Sequence, residues 1–475
     1  MPPSLALCLW LVFFLWLLRY DPARDPKISA ALWIPLIWMV LMGSRLPSQW
    51  FGYVSVGSAI EAYEEGNLFD RSVYSLLIVT AAWVLMSRSV RWGHIFSRNR
   101  ALLVFLVFTL LSVTWSDFPF VSFKRWVRDL GHYVMILVVL SDSRPLSAID
   151  TLVRRFSYVL IPLSVVFIKY YPHLGRGYNG WTGEAMYTGV TTNKNMLGVV
   201  CLVSGVFFFW DTVRRWSERR ERRTKRILIL NGLFMAMTLW LLNLSDSATS
   251  RLCLVIACLI ILAAYSRFPM SNPSWLKWSI PSTLCLYVAL DFSFDITALV
   301  AAGAGRDATL TGRTELWPDV LRLVVNPVLG AGYESFWLGD RLQWLWARHP
   351  WGPNQAHNGY IETYLNLGVL GLCTLGAVLI ASYRRICSGM TRAPGVAPLG
   401  LAAFTILLLY NVTEAAFKGH LLWFMFLLAS IVVPPPAAAR GVQRADEQPA
   451  VAGRGHPLST ASPFRLARHH GRTER

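Results

Sequence analysis

The sequence predicts an all-α fold: a polytopic bundle of about 12–13 transmembrane helices with one long loop that bears short helices. Three observations predict it. The 475 residues are 54% hydrophobic and only 15% charged, where a soluble domain carries about a quarter charged residues. Mean hydropathy is +0.43. Apolar runs recur along the chain, and basic residues recur in alternate short loops between them.

In order, the apolar runs are 5–18, 28–42, 73–86, 101–113, 127–140, 159–168, 196–210, 227–244, 252–264, 276–290, 361–381, 399–410 and 421–433. Several fall short of the ~20 residues a bilayer span needs, and flanking Trp, Tyr and Ser complete them. No water reaches the bilayer core to satisfy peptide groups, so such runs must be helices. The first run has no positively charged leader and no small-residue cleavage site, and is expected to stay as a span. The seven cysteines fall in or just after predicted spans with no metal-ligand spacing. The organisation reads as N-terminal spans (1–110), central spans with outer loops (111–290), the long loop (291–358), C-terminal spans (359–435) and a tail (436–475). The tail is Pro, Ala, Arg and His without periodicity, so a disordered cytoplasmic segment is expected. The long loop carries Trp317, Phe336, Trp337, Trp344, Trp346 and Trp351, too many large rings for a disordered stretch. A short helical cap on the membrane face is expected there.

The net charge of +18 points to nucleic acid only if the bundle is ignored; no nucleic-acid partner is expected. Basic residues instead hold topology. Arg19 to Lys27, Arg88 to Arg100, Arg144 to Arg155, the block Arg214 to Arg226, Arg267 to Lys277 and Arg384 to Arg392 alternate with less basic loops. Positive-inside bias puts them in the cytoplasm with the C-terminus, and the N-terminus outside. The block 214–226 also suits anionic membrane lipid, a reading that topology anchoring makes secondary.

Four outer segments carry polar residues suited to chemistry. Asn193 and Lys194 open a span: Asn and Lys at a helix start offer a phosphate seat, and plain capping with a snorkelling Lys fits equally. Arg251 follows a tight turn and enters an apolar run, where an Arg needs an anion, a carboxylate such as Asp246, or water. Arg306 and Arg313 stand by glycines in the long loop, followed by the Gly-rich stretch 326–333. Close approach of a ligand with bidentate phosphate binding is one reading, and a capped helix with a surface Arg the other. His357 and Asn358 precede the span that holds Glu362. At a membrane boundary His357 suits a proton acceptor, and Glu362 suits orienting it or pairing with an Arg. Together, Lys194, Arg251, Arg306, Arg313 and His357 lie on one predicted face, without a DxD, Walker or HExxH motif. That set suits binding a diphosphate and deprotonating an acceptor with no metal and no cofactor. No nucleotide is normally supplied outside the cytoplasm, so an activated donor there would be lipid-linked.

At these residues the chain resembles a known family. GRTELWPDVLRLVVNPVLGAGYESFWLG (312–339) followed by AHNGYIETYLNLGVLGL (356–372) is similar to the O-antigen ligase/polymerase family of bacterial inner-membrane glycosyltransferases of the GT-C type. TTNKNMLG (191–198) resembles the branch that polymerises exopolysaccharide repeat units. The resemblance implies a reaction on undecaprenyl-diphosphate-linked glycan at the outer face, with a glycan acceptor. Arg251 and Arg313 would hold the diphosphate and His357 would activate the acceptor. Arg306, Lys194, Asn193, Asn358 and Glu362 would contact substrate. It also implies a flippase and a chain-length regulator as partners. A polymerase is the first expectation and a ligase to lipid A-core or another acceptor the second. A transporter of the same glycans is a third reading, disfavoured because span interiors look largely apolar, His132 and Pro162 excepted.

Overall fold

The computed structural model describes residues 1–52, 66–178, 183–266, 313–392 and 395–433. The apolar runs within them lie on helix except for 28–29 and 431–433 at two ends; the run 276–290 and the tail 436–475 lie outside the described residues. The helices are α1 (Pro3–Tyr20), α2 (Trp33–Met42), α3 (Leu68–Ser87), α4 (Trp92–Arg98), α5 (Arg100–Leu111), α6 (Pro119–Leu140), α7 (Pro145–Tyr170), α8 (Lys194–Arg215), α9 (Arg222–Ser245), α10 (Ala248–Tyr265), α11 (Arg313–Arg322), α12 (Gly339–Arg348), α13 (Gly359–Arg392), α14 (Ala397–Thr413) and α15 (Leu421–Ser430). A hairpin of β1 (Arg176–Tyr178) and β2 (Ala185–Tyr187) precedes α8. Among the described residues seven helices are long and apolar enough to cross a membrane, or eight if the pair bent by 92° at α4–α5 is one span. Residues 30–42, α14 and α15 are shorter apolar helices. The chain is a multi-pass helical membrane protein.

Local signals set the helix starts. Pro3, Pro119 and Pro145 sit where a missing N–H costs nothing. Asn67 and Asn193 cap α3 and α8 through their side-chain oxygens, 2.7 Å from Phe69 N and 2.9 Å from Met196 N. α7 and α8 are buried over most of their length, whereas α1 leaves Leu9, Val12 and Trp16 exposed as a lipid-facing stripe.

The span interiors hold more charge than the sequence suggests. Arg154 of α7 is buried against Asp211 of α8 at 2.6 Å and Asn231 of α9 at 2.9 Å. Asp129 of α6 is also buried. Arg154 reads in sequence as a basic loop residue. It is instead inside the bundle, because α7 begins at Pro145, well before its apolar stretch.

Contacts between helix ends sort the bundle into two faces. On one, Arg144 meets Asp25 at 3.1 Å, Arg88 meets Asp142 at 3.5 Å, Arg223 reaches Pro22 O at 2.8 Å, and Trp210 and Tyr265 both donate to Gly395 O. The described basic segments gather there. On the other, Arg45 donates to Thr191 O, Asn195 to Glu414, and Thr249 lies 2.9 Å from Thr413.

The described part of the long loop folds as a helical cap on that second face. Leu316 and Val320 of α11 pack with Phe336, Trp337, Leu342, Leu345 and Ala356 in an apolar cluster of their own. The Gly-rich stretch behind α11 has a structural use. α13 breaks at Gly368, at φ 63 and ψ −163. The peptide groups freed by the break bond to that stretch: Ala331 N to Leu365 O, Gly332 N to Asn366 O, Val369 N to Pro327 O and Leu370 N to Val328 O, at 2.9–3.2 Å. A Cβ at Gly330 would lie 2.3 Å from the Asn366 backbone carbon. Gly330 therefore admits the backbone of α13, and Gly332 admits Ser116 and the Ser112 carbonyl after α5, rather than a ligand, which corrects the ligand-approach reading of the stretch.

Candidate functional site on the second face

Four helix ends meet at the second face: the starts of α8, α10 and α13 and the end of α14. His357 stands just before α13 in a left-handed conformation, φ 49. Its Nδ1 lies 2.9 Å from Glu414 Oε2, and Trp351 tilts over the ring at 5.8 Å between centroids. The other Glu414 oxygen accepts from Asn195 Nδ2 at 2.9 Å. With Nδ1 as the donor to Glu414, Nε2 keeps its lone pair. Nε2 makes no hydrogen bond among the described residues, and the side chain is 19% exposed. A carboxylate that fixes the tautomer of a partly exposed imidazole is the arrangement of a general base.

Beside this pair, Asp246 joins two cations. Its Oδ1 lies 2.6 Å from Arg251 Nη2 and its Oδ2 3.6 Å from Lys194 Nζ. Lys194 and Asn195 are neighbours in sequence, so the cation pair and the His357–Glu414 pair adjoin through the first turn of α8. Asp246, Glu334 and His357 are the non-glycine residues with positive φ among the described residues. Left-handed backbone costs energy at such residues and concentrates at functional sites.

Behind His357 lies a buried charged group. Glu362 accepts from Trp337 Nε1 at 3.0 Å, from Ala356 N at 2.9 Å and from Lys418 Nζ at 2.9 Å. Lys418 also bridges to Glu334 at 2.7 Å. Tyr333 donates to Asp129 at 2.7 Å. Burial, then the charges of Asp129 and Glu334, hold the Tyr333 hydroxyl well above its ordinary value, so it remains a donor. These groups line a small cavity of about 50 Å³ between α5, α6 and α13.

Lys194, Arg251 and His357 thus come together as the sequence groups them. Arg313 opens α11, and Trp317, one turn later, donates to Ala356 O at 2.9 Å, which docks that helix beside His357. Arg306 lies outside the described residues. Asn193 caps α8. Asn358 caps α13 by accepting from Tyr360 N and Ile361 N, and its amide donates to Val412 O. Both amides are committed to helix ends. Among the described residues Glu362 bonds neither the His357 ring nor an Arg. It is held by Lys418 and Trp337 and steadies the peptide before His357, because the first turn of α13 carries it behind that residue. Glu414, which does hold His357, is 57 residues distant in sequence.

Residues 233–376 match the O-antigen ligase family model. The chain is also similar to the exopolysaccharide production protein ExoQ of Rhizobium meliloti (strain 1021), at 24% identity over 300 residues, covering 59% of this chain and 63% of that protein. The similarity therefore spans less than two thirds of that relative's length. The matched residues include Asp246, Arg251, Arg313, His357 and Glu362. Lys194 and Asn195 of α8, and Glu414 and Lys418 of the segment between α14 and α15, reach the same site from outside the matched residues. Of those partners Glu414 leaves a sequence signal, an acid just past an apolar run at an outer boundary. Lys418, four residues on, carries the same signal in opposite charge.

Proposed function

We propose that the protein is a glycosyltransferase that joins undecaprenyl-diphosphate-linked oligosaccharide repeat units into exopolysaccharide or O-antigen at the periplasmic face of the bacterial inner membrane. The observation that carries this reading is the His357–Glu414 pair adjoining the Lys194–Arg251 cations at one bundle face. An acceptor sugar hydroxyl attacks the anomeric carbon of the donor. The new glycosidic C–O bond forms as the bond to the diphosphate oxygen breaks, and undecaprenyl diphosphate leaves. The hydroxyl proton goes to His357 Nε2, and Glu414 stabilises the imidazolium that results. Lys194 and Arg251, with Arg313, take up the charge that grows on the diphosphate. A diphosphate is already a good leaving group, so these two effects supply most of the catalysis needed.

The resemblance over 191–198 favours a polymerase; transfer of finished glycan to lipid A-core is the second reading. The grouped polar residues sit at one face, where the helix ends meet, which supports an enzyme over a transporter. The test is a deletion strain complemented with wild type or with Arg251→Ala, Arg313→Ala or His357→Ala, analysed for lipid-linked glycan. Single repeat units on the carrier at the outer leaflet, without long polymer, support the polymerase. Long polymer left on the carrier means a ligase. Repeat units confined to the cytoplasmic leaflet contradict both.

A further inference from the structure

We propose that Asp246 is a resident counter-ion, occupying the seat of the donor diphosphate between turnovers and reclaiming it when the lipid diphosphate leaves. This deepens the reading above and rests on its assignment of Lys194 and Arg251 to the diphosphate.

Asp246 closes α9 in left-handed backbone, φ 46, a conformation that Asp tolerates. Its two oxygens are divided between two cations, Oδ1 to Arg251 and Oδ2 to Lys194. A bridging phosphate would divide its oxygens in the same way. The other described acids nearby are committed elsewhere: Glu414 to His357 and Asn195, Glu334 and Glu362 to Lys418. Among the described residues Asp246 is the one carboxylate that both cations share.

Exposure decides which member can yield. The Asp246 side chain is 61% exposed, against 43% for Arg251 and 34% for Lys194. The two cations rise from the first turns of spans, which fix their backbone, whereas the carboxylate stands on the turn between α9 and α10 and is the most exposed of the three. Exposed ion pairs are weak, whereas a diphosphate brings more charge and more acceptor oxygens to the same two cations. The exchange therefore runs forward when the donor arrives and is readily reversed when the product departs. Asp246 keeps the two cations paired between turnovers and weakens the site's grip on its product.

The test is equilibrium binding of undecaprenyl diphosphate to the full-length protein in nanodiscs, with thermal melting to confirm folding of each variant. Asp246→Asn should bind roughly three- to tenfold tighter, the loss of two exposed competing pairs. Asp246→Glu should stay near wild type, because the competitor is retained. Asp340→Asn, which removes an exposed carboxylate on α12, should also stay near wild type, separating displacement from a general loss of negative charge. Arg251→Ala should bind more weakly. If Arg251→Ala weakens binding and Asp246→Asn leaves it unchanged or weaker, Asp246 organises the cations and the proposal is overturned. Equal tightening by Asp340→Asn overturns it as well. If Arg251→Ala has no effect, the diphosphate assignment itself fails and takes the proposal with it.

Discussion

His357 and Glu414 are 57 residues apart in sequence and 2.9 Å apart in space, Nδ1 to Oε2, across the start of α13 and the end of α14. The pairing fixes which imidazole nitrogen can take a proton. It also ties the matched family segment to a helix outside it.

A base oriented in this way makes a graded prediction. His357→Ala should lower turnover by about 10²–10⁴-fold, the usual contribution of a general base. Glu414→Gln keeps the shape but can favour the wrong tautomer, so it should lose turnover too. Membrane levels of both proteins should stay near wild type by immunoblot. Loss of protein in both would assign them structural roles.

Lys418 lies between Glu334 and Glu362. Lys418→Met leaves two carboxylates facing each other, one of them the buried Glu362, and removing the partner of a buried charge is destabilising. Thermal melting in detergent should show a large drop, and Lys418→Met with Glu334→Gln should recover part of it. An unchanged melting temperature in the single variant would remove Lys418 from the framework of the site.

Gly330 and Gly368 have positive φ and face each other's backbone segments across the break in α13. Alanine at either should reduce the amount of folded protein, since the Cβ meets backbone that cannot yield. Gly376→Ala, where a Cβ meets nothing within 4 Å, is the matched control and should accumulate normally.

Cations on side chains carry the diphosphate in this account. Glycan transfer by purified protein should therefore persist in excess EDTA. Loss of activity on chelation, restored by a divalent metal, would require a different charge partner for the leaving group.

Much of the bundle is legible in the sequence because the bilayer leaves apolar runs no alternative to helix, and 5–18, 196–210 and 227–244 become α1, α8 and α9. The grouping of Lys194, Arg251 and His357 is legible for a related reason: a charged residue at a span boundary is costly and stands out. Glu414 and Lys418 stand out in the same way, but which residue each pairs with does not. Glu414 and Lys418 find His357 and Glu362 only through the packing of α13 on α14 and of the segment that follows, which no local pattern encodes. Glycines mislead most. Gly330 and Gly332 look the same whether a ligand or a neighbouring backbone comes close, and only the fold identifies the neighbours as the α13 backbone for Gly330 and Ser116 for Gly332.

The most direct measurement is in vitro transfer with purified protein and a synthetic undecaprenyl-diphosphate-linked repeat unit, comparing wild type, His357→Ala and Arg251→Ala. The account predicts products longer than one repeat unit on the lipid, with release of undecaprenyl diphosphate, from wild type, and neither from the folded variants. Equal product from His357→Ala would contradict it.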